Sequence, residues 1–139
     1  VKDNVKMPLA HGERVFGRWE YIRYFMDNSI QVIQPDIGNA GGITETKRIC
    51  DMAYTFDVGV QIHTCASHLL TPPSVQLEAC IPNFVIHEQH MRSMNPSNQE
   101  LTAKVVMPKN GYLDVTDDIG IGNEWSDKAL ASEDQITLN

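Results

Sequence analysis

Five acid–base side chains sit just after short apolar runs: His11 and Glu13 after residues 7–10, Asp36 after 31–34, His63 after 58–62 and Glu88 after 84–86. These residue types suit proton abstraction beside a carboxylate. That chemistry needs a base that titrates near neutrality, and histidine is the natural choice. An aspartate at the other ring nitrogen would fix the tautomer and favour the imidazolium. The enediolate dianion that develops calls for a divalent metal, which a carboxylate such as Glu13 can hold. Glu88 could hydrogen-bond the intermediate if it were held protonated. At any one position a turn former or cap is an equal explanation. Four runs in succession ending in a titratable group are better explained by a site.

The elements that must carry these groups alternate. Apolar runs at 7–10, 31–34, 58–62 and 84–86 read as strands. Between them, Trp19, Ile22, Phe25 and Met26 recur at helical spacing over 18–28, and Ile49, Met52, Ala53 and Phe56 over 44–56. A further helix is expected over 74–80 with Ser74 as a candidate N-cap, after a loop at 67–73. The order βαβαβαβ with short connections requires right-handed crossovers and a parallel sheet. By itself it fits a doubly wound sheet and part of a (β/α) barrel equally. In either, function gathers at the carboxyl ends of the strands. Alternation puts Gln34 on the face of Asp36, and Gln61 on that of His63. Strands covered by helices normally read as continuous apolar runs, so these glutamines also point to a site. Beyond Met91, residues 102–107 read as an edge strand and Asn110-Gly111 as a turn. The remainder reads as a polar tail packed over the surface and frayed at its end.

Composition narrows the partners. Among 139 residues, 11 basic against 18 acidic give a net charge of −7 with no basic cluster, so nucleic acid and anionic membrane surfaces are not expected partners. No apolar run approaches the roughly 20 residues of a spanning helix. Cys50, Cys65 and Cys80 lack CxxC spacing, and reduced thiols in a cytoplasmic protein are expected, with Cys50 and Cys80 in the core. The chain opens at Val1 without an initiator Met or an apolar leader, and a fragment boundary is expected there.

The segments Pro8-Leu9-Ala10-His11-Gly12-Glu13-Arg14, Gln34-Pro35-Asp36 with Ala40-Gly41-Gly42-Ile43-Thr44, Ile62-His63-Thr64-Cys65, and Ile81 through Gln89 together resemble the mandelate racemase branch of the enolase superfamily, and most of all its galactonate-dehydratase-like acid-sugar dehydratases. The resemblance covers about 7–89 and extends less firmly to 111–113 and 119–122. It implies an α/β fold, the C-terminal half of a (β/α)7β TIM-like barrel comprising strands 5 to 8. Residues 1–92 would form that half, and 93–139 a C-terminal segment packing on the barrel or a capping domain. It implies Mg2+, with Glu13 as one metal carboxylate, Asp36 and His63 as an acid/base dyad, and Glu88 as the carboxyl that stabilises the intermediate. The implied reaction removes the proton α to a carboxylate and expels the β-hydroxyl, giving a 2-keto-3-deoxy sugar acid. A racemase or epimerase of the same superfamily, or an enolase-like domain without catalysis, are the alternatives.

A full barrel of this kind takes about 250 residues. The pattern's other metal carboxylates, its opposite-face acid/base and its capping domain have no counterpart in this sequence. The chain alone is therefore expected to hold Mg2+ weakly and to show no turnover. Two open strand edges would favour self-association or pairing with an N-terminal half. Rival motifs are weak. His87-Glu88-Gln89-His90 lacks HExxH spacing, His63 with Cys65 lacks a third orienting group, and Gly38, Gly41 and Gly42 do not make GxGxxG. His68 and His90 read as satisfied loop residues.

Overall fold

A computed structural model describes residues 1–132. Three short parallel strands, β1 (Ala10–His11), β2 (Val32–Ile33) and β3 (Gly59–Val60), lie side by side in chain order. Their register pairs Ala10 with Val32 and Val32 with Gly59. The regular ladders are shorter than the expected runs, but pairing continues past them. Asp36 bridges His63 in parallel, and Val60 bridges Phe84. The fourth run thus joins through single bonds, Val60 N–H to Asn83 O at 2.8 Å and Val85 N–H to Val60 O at 2.9 Å.

Helix α1 (Gly17–Met26) connects β1 to β2, α2 (Gly42–Thr55) connects β2 to β3, and α3 (Thr71–Ala79) leads to the fourth run. All three cover one face of the sheet. Tyr21 and Phe25 of α1, and Ile49, Cys50 and Ala53 of α2, are buried against Ile33, Val60 and Ile62. Burial of each large apolar side chain contributes about 1.5–3 kcal/mol. The other face carries Gln34 and Gln61, whose side chains meet at 2.9 Å. A sheet with helices on one side and polar side chains converging on the other is the arrangement of a barrel wall.

Several expectations need correction. In α1 the buried stripe is Tyr21 and Phe25, while Trp19 and Met26 are exposed; the Arg18 guanidinium lies 4.5 Å from the Trp19 ring centroid. Along α2, Cys50 is in the core as expected, while Phe56 lies just past the helix and is exposed, stacked on Phe25. Ser74 is not an N-cap: it is buried inside α3, which starts at Thr71 because Pro72 and Pro73 are tolerated in a first turn. A 3₁₀ turn at His68–Leu70, capped by Ser67 Oγ, precedes it. Cys80 is exposed.

After the fourth run come a 3₁₀ turn (Met91–Met94), α4 (Pro96–Gln99) and α5 (Asp127–Ser132). The expected edge strand at 102–107 reduces to an antiparallel bridge between Thr102 and Trp125. Val106 N–H instead donates to the buried His68 Nε2 at 2.6 Å, diverting the backbone from a ladder. Asn110-Gly111 does turn, with both φ values positive and Lys109 bonded to Tyr112. The expectation of a frayed end concerns 133–139, outside the described residues.

Candidate active site

Glu13, Asp36, His63 and Glu88 meet at the carboxyl rim of the sheet. His63 Nδ1 lies 2.9 Å from Glu88 Oε2, and His63 Nε2 lies 3.4 Å from Glu13 Oε2. The His63 and Glu88 side chains are largely shielded from solvent, whereas that of Glu13 is 51% exposed. Asp36 is buried and is the bridge partner of His63 on the neighbouring strand. Glu13, Asp36 and His63 line a cleft of about 460 Å³, together with Arg14, Cys65 and Arg92. His11 does not join them; its ring packs edge-on against Tyr24, 5.6 Å between centroids.

One relationship differs from the expectation. The partner of His63 Nδ1 is Glu88, not Asp36. Asp36 Oδ1 accepts the Asn39 N–H at 3.0 Å, and its own carbonyl accepts the Ala40 N–H at 2.7 Å. The short aspartate is consumed in starting the turn to α2, while the longer Glu88 reaches across from the next run. Each ring nitrogen of His63 thus faces a carboxylate oxygen, the nearer one at Nδ1. A separation of 3.4 Å is too long for a strong hydrogen bond, so Nε2 keeps capacity for a proton exchanged within the cleft.

The supports for these groups are local. Tyr21 Oη donates to Gly12 O at 2.7 Å, tying the β1 exit to α1, and burial holds this phenol well above its ordinary range, as a neutral donor. Gly12 has φ +146°, and a Cβ there would stand 2.7 Å from Tyr21 Oη and 2.9 Å from Gln34 N. Only glycine fits where the backbone swings from strand into rim. Thr64 Oγ1 donates to Glu88 O, fastening the fourth run to the third. Behind Glu88, His87 points the opposite way and its Nδ1 meets Glu78 Oε2 at 2.7 Å. Burial raises the Glu78 carboxyl, partly offset by His87.

Sequence reasoning did not single out Arg92 as a cleft residue, nor His90 as the partner of Cys65 (Nε2 to Sγ 3.4 Å). Both lie beyond the fourth run, where no periodicity marks a facing. As a metal site the residues present are insufficient. Among the described residues no group of three or more His, Cys, Asp or Glu side chains could hold an ion. Glu13 is a single half-exposed carboxylate and would hold Mg2+ weakly, leaving most of the near-octahedral shell to waters and other groups.

Residues 1–129 match the family model described as enolase C-terminal domain-like, and the chain belongs to that family. It is 36% identical over 85 residues to a D-galactonate dehydratase of Pectobacterium atrosepticum, a match covering 61% of this chain and 22% of that protein. A solved enolase-superfamily member from Salmonella Typhimurium is 42% identical with a TM-score of 0.95, covering 99% of this chain and 35% of that one. An enolase from Agrobacterium radiobacter, described as a candidate galactarate dehydratase with sodium and L-malate bound, is 30% identical with a TM-score of 0.84, covering 99% of this chain and 38% of that one. The chain thus spans between a fifth and two-fifths of the length of these relatives. Its α/β fold is the corresponding part of the superfamily's barrel, strands 5 to 8. Among the described residues no helix is long and apolar enough to cross a membrane.

Proposed function

We propose that this chain forms the proton-transfer wall of an acid-sugar dehydratase in the cytoplasm. The observation that carries the reading is His63, held at Nδ1 by Glu88 and presenting Nε2 to a cleft that also contains Glu13 and Asp36. In the reaction, His63 exchanges a proton with the sugar acid through Nε2: it takes the proton α to the carboxylate or gives one to the departing β-hydroxyl. Glu88 fixes the ring and balances the imidazolium charge. Buried Asp36 lines the same cleft from the neighbouring strand. The product is a 2-keto-3-deoxy acid. In support, one similar protein is a D-galactonate dehydratase and another is an enolase described as a candidate galactarate dehydratase.

Mg2+ belongs to this reading as a property of the whole protein, to which this chain brings the one carboxylate of Glu13. By itself the chain is expected to be inactive. Phe84, Val85 and Ile86 are 44%, 54% and 59% exposed along the fourth run, an open apolar edge suited to the remainder of the barrel or to a second copy. The test is incubation of the full-length protein with D-galactonate and related sugar acids in Mg2+ buffer, following the new ketone. Formation of a 2-keto-3-deoxy acid supports the proposal. Inversion at the α-carbon with the hydroxyl retained would make the protein a racemase or epimerase, and inertness toward all sugar acids would point to a domain without catalysis.

A further inference from the structure

We infer that Arg92 is a specificity-determining residue that selects sugar diacids over monoacids by binding the carboxylate far from the reacting carbon; this rests on the dehydratase reading and names its substrate class. Arg92 lines the catalytic cleft and also a second cavity of about 280 Å³ that adjoins it, sharing Ala66 and continuing to Asn95 and Ser97. The two cavities thus meet at Ala66 and Arg92, with His63 lining the larger one. Of the two arginines in the cleft wall, Arg14 pairs with Glu13 at 3.7 Å, while the Arg92 guanidinium has no ion-pair partner among the described residues. An unpaired cation stands out in a cleft that contains Glu13 and Asp36.

The backbone under Arg92 is built rather than loose. Its N–H donates to His90 Nδ1 at 3.1 Å, and its carbonyl accepts the Asn95 N–H at 3.1 Å. The next residue, Ser93, is buried, with Oγ donating to His90 O at 2.6 Å and its carbonyl accepting from Gln99 Nε2 at 3.1 Å. Among the described residues around the outer cavity the Arg92 guanidinium is the one charged group, and the Ser97 hydroxyl has its hydrogen engaged by Asn95 Oδ1. Asn95 Oδ1 is occupied by the Ser97 N–H and Oγ–H, at 3.1 and 3.0 Å, which leaves the Asn95 amide NH2 free to donate in the same cavity. The guanidinium charge and the free Asn95 amide hydrogens suit a carboxylate, which only accepts. The planar guanidinium offers a carboxylate two parallel bonds.

The test compares galactarate with D-galactonate, which differ only at the far terminus, on the full-length protein and its Arg92→Ala and Arg92→Lys variants. Binding is measured by calorimetry and turnover by ketone formation, and thermal melting checks that the exposed substitutions leave folding intact. The wild type is expected to bind galactarate at least tenfold more tightly. Arg92→Ala should weaken galactarate about 10- to 100-fold while changing D-galactonate less than about twofold, and Arg92→Lys should recover part of the loss. No preference in the wild type, or equal weakening of both acids by Arg92→Ala, would overturn the inference even if both acids were dehydrated. Arg92-dependent binding of galactarate without ketone formation would support the subsite and refute the dehydratase. Failure to bind either acid would refute both.

Discussion

Replacing Gly12 with alanine should be among the most damaging single-methyl additions in this chain, and its cost follows from the geometry. At φ +146° an L-residue is strained by roughly 1–3 kcal/mol. The new Cβ would also stand 2.7 Å from Tyr21 Oη and 2.9 Å from the Gln34 backbone nitrogen. Tyr21 is fully buried and its hydroxyl donates to the carbonyl of Gly12 itself, so yielding to the methyl disturbs a buried bond that costs about 1–3 kcal/mol if left unmade. Against this stands a gain of about 0.4–1 kcal/mol from restricting the unfolded chain. The net expectation is a loss of about 2–4 kcal/mol, read as ΔΔG of urea unfolding at constant m-value. Tyr21→Phe removes the hydroxyl and should cost about 1–2 kcal/mol alone. The double variant should fall short of the sum, because the Oη clash is gone while the Gln34 clash remains. A Gly12→Ala variant within about 0.5 kcal/mol of wild type, or strict additivity with Tyr21→Phe, would show that the β1 exit is not confined as described.

Glu88→Gln retains the shape of the Nδ1 partner but not its charge, and should lower kcat/KM roughly 100-fold in the full-length protein with a smaller change in KM. His68 is buried and accepts the Val106 N–H through Nε2, so its imidazole is held below the ordinary histidine value by desolvation. A depressed folded value means that stability present above about pH 6.5 declines as pH falls from there toward the folded pKa; His68→Gln should flatten this part of a denaturation-versus-pH profile, and an unchanged slope would remove His68 as its source. Thiol labelling should modify exposed Cys80 first and Cys50 last, since burial pushes the Cys50 thiol up to about 12. Prompt modification of Cys50 under native conditions would contradict its place on the buried face of α2.

Much of the site was legible because strand periodicity and residue type speak to the same question. Alternation along 31–36 and 58–63 put Gln34 with Asp36 and Gln61 with His63, and the structure joins these as neighbouring cross-strand pairs. What alternation does not encode is reach. Asp36 was the candidate for the ring of His63 and Glu88 for the intermediate, and the observed Glu88 contact depends on side-chain length and on a turn that claims Asp36. Helix faces were read less well where apolar residues surround the helix. In α1, Tyr21 is buried because its hydroxyl finds Gly12, and Trp19 is free to lie outside under Arg18. The proline pair at 72–73 looked like loop because a helix-breaking residue in mid-helix is harmless in a first turn. Beyond the fourth run, side chain-to-backbone bonds replace periodic packing, and Arg92 left no signal there.

The role of His63 is tested most directly by exchange of the α-proton of the sugar acid with solvent. The full-length protein and its His63→Asn variant, incubated with substrate in D2O and Mg2+, are followed by proton NMR. The account predicts that in the wild type the α-proton signal is lost as the 2-keto-3-deoxy acid forms with one solvent deuterium at C3, where the enol is protonated, and that His63→Asn, folded by thermal melting, loses at least about 100-fold of that rate. Turnover and deuterium incorporation unchanged in His63→Asn would contradict it.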